Sequence, residues 1–373
     1  MRKATKKIYM SILAVLLVFI TVVATTYAWV GILTYGQTDT FKLNLKTQDL
    51  DNDFYLSISA TDKEDSYAEV ADESELKKQI LKNKANITFD DSATVEYIDS
   101  MFFKNYQIHP TTTTRDTILN NEFHEINPLY GANSISTEWS KDFYKFDIYL
   151  SVEHREGDSA IKPDTNVKTD LILANIENTL TGDVATQALS NDFNYPSIDD
   201  LRTGIYNPNH FGELKGVVNV NAASAARFAL AVYDPISRND SYSGTEEPSI
   251  LRIYQGGTQV PTYDSTTDTY SFGGNLPEDF NLAIYEHKKN RNIKYEEFKI
   301  PEETINRGDL ELVEENNKLF DDSFGFGVVN GDKKKIKVTV YFWFEGWDAD
   351  CFEIIDAVMV RLNLEFASDS NVE

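Results

Sequence analysis

Two runs near the C-terminus place the tightest constraint on the fold, because apolar and polar residues alternate along them. Apolar residues occupy every second position from 336 to 344 and again from 358 to 366. Successive side chains of a β-strand point to opposite faces, so this period predicts strands that bury one face. Similar alternation begins at Phe41, Phe54 and Phe146, and less regular strands are predicted at 171–173, 217–220, 227–232, 251–254 and 270–272.

These strands predict an all-β fold. Antiparallel sheets that keep one polar face stack most simply as a two-sheet sandwich. Neither a regular alternation of strands with helices nor a fixed-period repeat is present. We predict one sandwich over residues 38–366, with long insertions at about 61–137 and 235–333 and a polar tail at 367–373.

The first insertion contains one predicted helix, over residues 72–84. Leu76, Ile80 and Leu81 share one side of it, and lysines occupy the other sides. Acidic residues at its start interact favourably with the helix dipole. The pattern indicates a helix that packs one side against the protein.

The N-terminal segment predicts export. Four cations within the first seven residues precede an uncharged, mostly apolar run from 8 to 33. That run is long enough to cross a bilayer as a hydrophobic helix, with its N-terminal end in the cytoplasm. Thr26 and Ala28 fit the small residues before a signal-peptide cut after Ala28, which we favour over a retained membrane anchor. Both alternatives predict that the remaining chain is extracellular or on the cell surface.

The composition excludes several functional classes. The chain has 35 Lys and Arg residues against 60 Asp and Glu residues, a net charge of -25 at pH 7. Nucleic acid binding needs clustered cations that neutralise phosphates, so we expect no nucleic acid partner. With one cysteine, Cys351, the chain can form neither an intramolecular disulfide nor a thiol-rich metal site.

A cluster of acidic residues follows the first of the two alternating runs. Its four carboxylates are those of Glu345, Asp348, Asp350 and Glu353. Ca²⁺ prefers several oxygen ligands on one loop, which makes this cluster a candidate calcium site. Their spacing matches no known calcium loop, so we favour an ordinary turn between two strands.

Several segments, taken in chain order, resemble the secreted fibre proteins of the TasA/camelysin type. Gram-positive bacteria process these proteins with a dedicated signal peptidase. The similar segments are the signal-peptide exit at 25–30, the first mature strand at 40–45, the central strands at 144–150 and 225–232, and the closing pair at 340–351 and 358–366. The resemblance implies a jelly-roll-like sandwich and a role in extracellular fibres or a biofilm matrix.

The resemblance also implies a mode of assembly. In matrix-fibre members, the N-terminal segment of one subunit adds a strand to a sheet of the next. Unpaired backbone groups at a sheet edge then bond to the incoming strand. Residues 38–46 are the candidate donor here, with Thr40, Phe41, Leu43 and Leu45 as its assembly residues. The alternative is that they form an ordinary first strand of their own subunit.

Camelysins carry a metalloprotease label, which makes catalysis a competing hypothesis. His124 and Glu125 begin like a zinc-hydrolase motif, but Pro128 stands where the second His is required. The Gly-x-Ser-x-Gly pattern of serine hydrolases is absent. We therefore predict no enzyme and no cofactor, and a metal-dependent hydrolase is the least favoured function.

The chain thus predicts a non-catalytic secreted or cell-surface protein that self-associates by strand addition. The alternative is a membrane-anchored adhesin or carbohydrate-binding module that recognises cell-surface glycans. Tyr341 and Trp343 lie on the face opposite Phe342 and Phe344, where their rings can stack on sugars. The other possibility for these rings is that they pack into a core.

Overall fold

The computed structural model describes residues 41–47, 54–105, 107–113, 117–125, 140–154, 165–174, 179–189, 216–221, 223, 225–255, 261–264, 269–272, 311–312, 318–346, 351 and 359–369. The predicted N-terminal helix, Ala28 and Thr40 lie outside these ranges. Within the ranges, no helix is long and apolar enough to cross a bilayer.

Strands make up most of the described chain. They are β1 Phe41–Thr47, β2 Phe54–Ser59, β3 Thr111–Thr112, β4 His124–Glu125, β5 Tyr144–His154, β6 Val167–Lys168, β7 Asp170–Ala174, β8 Leu180–Gly182, β9 Val184–Leu189, β10 Gly216–Asn221, β11 Ala226–Val232, β12 Ile236–Ser237, β13 Ile250–Gln255, β14 Pro261–Asp264, β15 Thr269–Phe272, β16 Glu311–Leu312, β17 Lys318–Phe320, β18 Gly327–Val329, β19 Asp332–Phe344 and β20 Val360–Asp369. The described helices are α1 Glu73–Ala85 and α2 Val95–Asn105, with short 3₁₀ turns at Glu64–Ser66, Ile118–Asn120 and Asp322–Phe324.

The larger sheet is built around β19. This strand pairs antiparallel with β11 on one side and with β5 on the other. β13 and β16 extend the sheet beyond β11, and β2 extends it beyond β5. The strands β6, β12 and β18 join the sheet near the first residues of β19. Ile336, Val338, Val340 and Phe342 are fully buried, as the alternation predicts.

The second sheet is built around β20, in the order β1-β20-β7-β17, with β8 also on β20. β7 and β8 run antiparallel to β20, but β1 runs parallel to it. The antiparallel expectation is therefore wrong for the first strand. β20 also continues to Asp369, three residues past the predicted end of the alternating run, because β7 offers backbone partners that far.

One apolar core joins the two sheets. It combines inward side chains of β2, β5, β11 and β19 with those of β1, β7 and β20. The all-β prediction is confirmed, and the shared core is that of a sandwich. β14, β15, β10 and β9 form a separate small sheet, and β3 pairs with β4.

The outer face of the larger sheet is covered where Tyr341 and Trp343 project. These rings are 1% and 2% exposed and form a second apolar cluster with Ile118, Phe123 and Phe143. Phe123 stacks on Phe143 at 3.9 Å between ring centroids and meets the Trp343 ring edge-on at 5.7 Å. Of the two possibilities for these rings, packing into a core is the one observed, because Ile118 and Phe123 of the first insertion fold over them.

We predict that Gly327→Ala destabilises the fold strongly. Gly327 has a φ of +130°, and a Cβ there would lie 2.1 Å from the carbonyl oxygen of Val167. The backbone strain and the clash together should cost about 3 kcal/mol in the free energy of unfolding.

Gly244→Ala is the matched control for this experiment. Gly244 has a φ of +82°, but no atom lies within 4 Å of the position that a Cβ would take, so only strain of about 1 kcal/mol is expected. Denaturant unfolding measures both variants. Equal losses in the two would contradict the close contact at Gly327.

Candidate functional site

The first described strand, β1, completes an edge of the second sheet. Its seven residues pair in register with β20, from Phe41 opposite Val360 to Thr47 opposite Phe366. Leu45 is 2% exposed and lies in the shared core, and Leu43 packs against that core. Of the predicted assembly residues, Phe41, Leu43 and Leu45 therefore lie in one strand.

An ion pair joins β1 to β20 on the outer side of the sheet. Lys46 Nζ lies 2.9 Å from Glu365 Oε1, and the Glu365 side chain is 8% exposed while that of Lys46 is 43% exposed. A carboxylate this buried needs a partner that neutralises it. Any strand that takes the position of β1 is therefore favoured to carry a cation where Lys46 lies.

Residues 68–71, which we call the clamp segment, bond to the other side of β1. Thr47 N donates to Glu69 O at 2.9 Å, and Ala71 N donates to Leu45 O at 3.1 Å. Between these bonds, Lys46 and Val70 form an antiparallel bridge. β1 is therefore bonded on both of its sides, by β20 and by the clamp segment.

The clamp segment also bonds to the larger sheet. Ile58 N donates to Ala68 O at 2.7 Å, and Ala68 N donates to Ile58 O at 2.9 Å. Ile58 belongs to β2, which pairs with β5. A short stretch of chain thus joins an edge strand of one sheet to an edge strand of the other.

Helix α1 covers the backbone of β5 where β2 ends. The last β2 pair is Ser59 opposite Tyr149. Beyond it, Gln79 Nε2 donates to Asp147 O at 3.0 Å, and Asp147 N donates to Gln79 Oε1 at 2.8 Å. One turn later, Asn83 Nδ2 donates to Lys145 O at 2.8 Å. Two side-chain amides therefore replace the missing strand and leave these β5 groups bonded.

The sequence of α1 explains its position. Asp72 caps the helix by accepting from Ser74 N at 2.8 Å, and Leu76, Ile80 and Leu81 are buried. The predicted helix and its buried side are confirmed. At the far end, Lys84 Nζ lies 2.8 Å from Asp142 Oδ1, and burial lowers the pKa of Lys84. Anchored in this way, α1 holds its amides against β5.

A network of charged side chains holds the residues before the clamp segment. Arg238 Nε lies 2.8 Å from Glu64 Oε2, and the guanidinium also contacts Glu153. Its carbon stacks 4.1 Å from the Tyr67 ring centroid, and burial raises the pKa of the Tyr67 hydroxyl. Asp62 adds a further ion pair, to the buried Lys335 at 2.5 Å. The network fixes residues 62–67 to the outer face of the larger sheet.

The candidate calcium site is represented by one residue in the described chain. Glu345 is buried and accepts a hydrogen bond from Trp343 Nε1 at 3.2 Å. Asp348, Asp350 and Glu353 lie outside the described residues. In the parts of the chain that the structure covers, no three His, Cys, Asp or Glu side chains are grouped to hold a metal ion.

Sequence reasoning located β1 but missed the groups around it. Lys46 and Glu365 occupy outward positions of their strands, where sequence indicates only exposure to solvent. Gln79 and Asn83 are four residues apart on α1, which signals a shared polar side but not its backbone partners. The clamp segment carries no periodic pattern that would have marked it.

Comparison with known proteins returned no relatives for this chain. No family model matches it, and neither a curated protein nor a solved structure matches it.

We predict that Gln79→Leu destabilises the protein by about 2 kcal/mol, because it removes the partners of backbone groups at Ala60 and Asp147. Asn83→Leu, the control, removes one bond near the surface and should cost less than about 1 kcal/mol. Denaturant unfolding decides between them. A loss for Gln79→Leu no larger than for Asn83→Leu would show that the amide does not secure the β5 edge.

Proposed function

We propose that this protein is a non-catalytic structural protein of the cell exterior that self-associates into fibres or a matrix by exchanging β1. The observation that carries the proposal is the position of β1. It is an edge strand near the start of the chain, and its seven-residue ladder to β20 completes the second sheet. The same ladder forms equally well when the strand comes from another copy.

The energetics of such an exchange favour assembly at high concentration. A strand from a second copy would bring the same backbone ladder, the same Leu45 side chain and the same Lys46 cation. The bonds lost within one subunit are thus regained between two. Association is then limited by the release of β1 and by the entropy of bringing two copies together.

The bonding of the β5 backbone supports β1 as the exchanging element. Strand addition requires backbone groups that are unpaired or can become so. On β5, the groups beyond β2 are bonded to the amides of Gln79 and Asn83. Release of β1, in contrast, would expose one side of β20 over the seven positions that it now pairs.

Export and the finer fold belong to the same proposal. The basic and apolar N-terminal sequence supports secretion, with cleavage after Ala28 or retention as an anchor. A jelly-roll-like order of strands and membership of the TasA/camelysin-type fibre proteins follow from the sequence resemblance. The parallel pairing of β1 is a departure from a purely antiparallel jelly roll.

A cysteine pair across the ladder tests the exchange. We predict that Lys46→Cys with Glu365→Cys, two positions that are register partners, forms disulfides between subunits in assembled material. Non-reducing electrophoresis of oxidised assemblies should then show a ladder of covalent multimers, and reduction should return it to monomer.

The single variants Lys46→Cys and Glu365→Cys are the controls, since Cys351 is buried and should not react with either. If sedimentable assemblies yielded only monomers with an internal crosslink, β1 would lie in its own subunit and strand exchange would be refuted. A protein that stays monomeric across concentration and pH would refute self-association itself.

A further inference from the structure

The clamp segment is held in place by contacts that do not involve β1. Before it, the Tyr67 ring stacks on Arg238, which is paired with Glu64. Within it, Ala68 exchanges two backbone bonds with Ile58 of β2. After it, Asp72 caps α1. The clamp segment is therefore expected to keep its position when β1 leaves.

β1 thus lies in a groove that has two backbone walls. One wall is β20 and the other is the clamp segment, bonded through Glu69 O and Ala71 N. Val70 is 57% exposed, whereas Ala71 is buried in the same core as Leu45, so the clamp segment holds β1 through its backbone bonds and this one apolar side chain. Backbone hydrogen bonds form with any extended strand and do not select its sequence. The core position that Leu45 fills requires an apolar residue, and the buried Glu365 requires a cation at the following position.

We propose that the groove between β20 and residues 68–71 is the docking site for the β1 strand of a second copy, and that the clamp segment controls its occupancy. The clamp must lose its two backbone bonds to β1, and the bond from Thr47 Oγ1 to Glu69 O at 3.3 Å, before the subunit's own strand can leave. The same two groups then bond to the incoming strand. The proposal rests on the function proposed above, and it adds the second wall and its role as a gate.

Hydrogen exchange in the monomer tests the clamp without reference to assembly. Ala71→Pro removes the N–H that donates to Leu45 O. We expect amides in residues 41–47 to exchange roughly 3- to 10-fold faster than in the wild type, as for the loss of one backbone bond. Amides of β11, in the middle of the larger sheet, should be unchanged.

Val70→Pro is the matched control. In an antiparallel bridge whose flanking residues make the hydrogen bonds, the N–H of the central residue points away from the partner strand. A proline at 70 therefore leaves both bonds to β1 in place. Equal hydrogen-exchange rates of the β1 amides in Ala71→Pro, Val70→Pro and the wild type would refute the role of the clamp segment, whether or not the protein forms fibres.

A reversible disulfide tests the gate and avoids the risk that a proline variant fails to fold. Lys46 and Val70 form a bridge without hydrogen bonds between them, where Cβ atoms are close enough for a disulfide. We expect oxidised Lys46→Cys with Val70→Cys to remain monomeric in sedimentation, and reduction to restore sedimentation to the level of the Lys46→Cys single variant. Each single-cysteine variant should sediment to the same extent with and without oxidant, whatever the loss of the Lys46 cation costs.

The two experiments separate the gate from the function on which it rests. If the oxidised double variant assembles as well as the reduced one, β1 stays in its own subunit, and strand exchange is refuted even where hydrogen exchange supports the clamp. Oxidation could block assembly while Ala71→Pro leaves the hydrogen-exchange rates of the β1 amides unchanged. In that case the exchange of β1 between subunits stands, and the role of the clamp segment is refuted.

Discussion

One constraint governs this structure: the backbone N–H and C=O groups at the edges of its strands need hydrogen-bond partners. A sandwich has such groups along every outer strand, and each unpaired row is a site for another chain. Here three kinds of partner meet that need. β20 pairs with β1, the clamp segment bonds to the far side of β1, and the side-chain amides of α1 bond to β5. Of these partners, β1 is the one that we propose is exchanged between copies.

The insertions contribute to this arrangement by covering the sheets. Residues near Ile118 and Phe123 bury the outward rings of β19, and the network around Arg238 secures the stretch that leads into the clamp segment. Both are parts of the chain where sequence shows little periodicity. They hold residues at the edges and on the faces of the sheets that the two central strands, β19 and β20, do not cover.

The sequence reveals elements whose pattern is local and conceals partnerships between distant residues. The alternation from Ile336 to Phe344 and the apolar side of α1 depend only on residues close together in the sequence, and both were predicted correctly. The parallel pairing of β1 with β20 joins residues from opposite ends of the chain, and nothing in either strand states it. Burial of Trp343 depended on Phe123, which no periodic pattern marks.

The most direct measurement of β1 exchange uses two charge variants that are mixed. Lys46→Glu places two carboxylates together at the Lys46–Glu365 contact, and Glu365→Lys places two cations there, so each variant alone should sediment poorly. In an equal mixture, strands passed between the variants restore opposite charges at every contact, and the account predicts sedimentable assemblies near wild-type amounts. A mixture that sediments no better than either variant alone would show that β1 never leaves its own subunit.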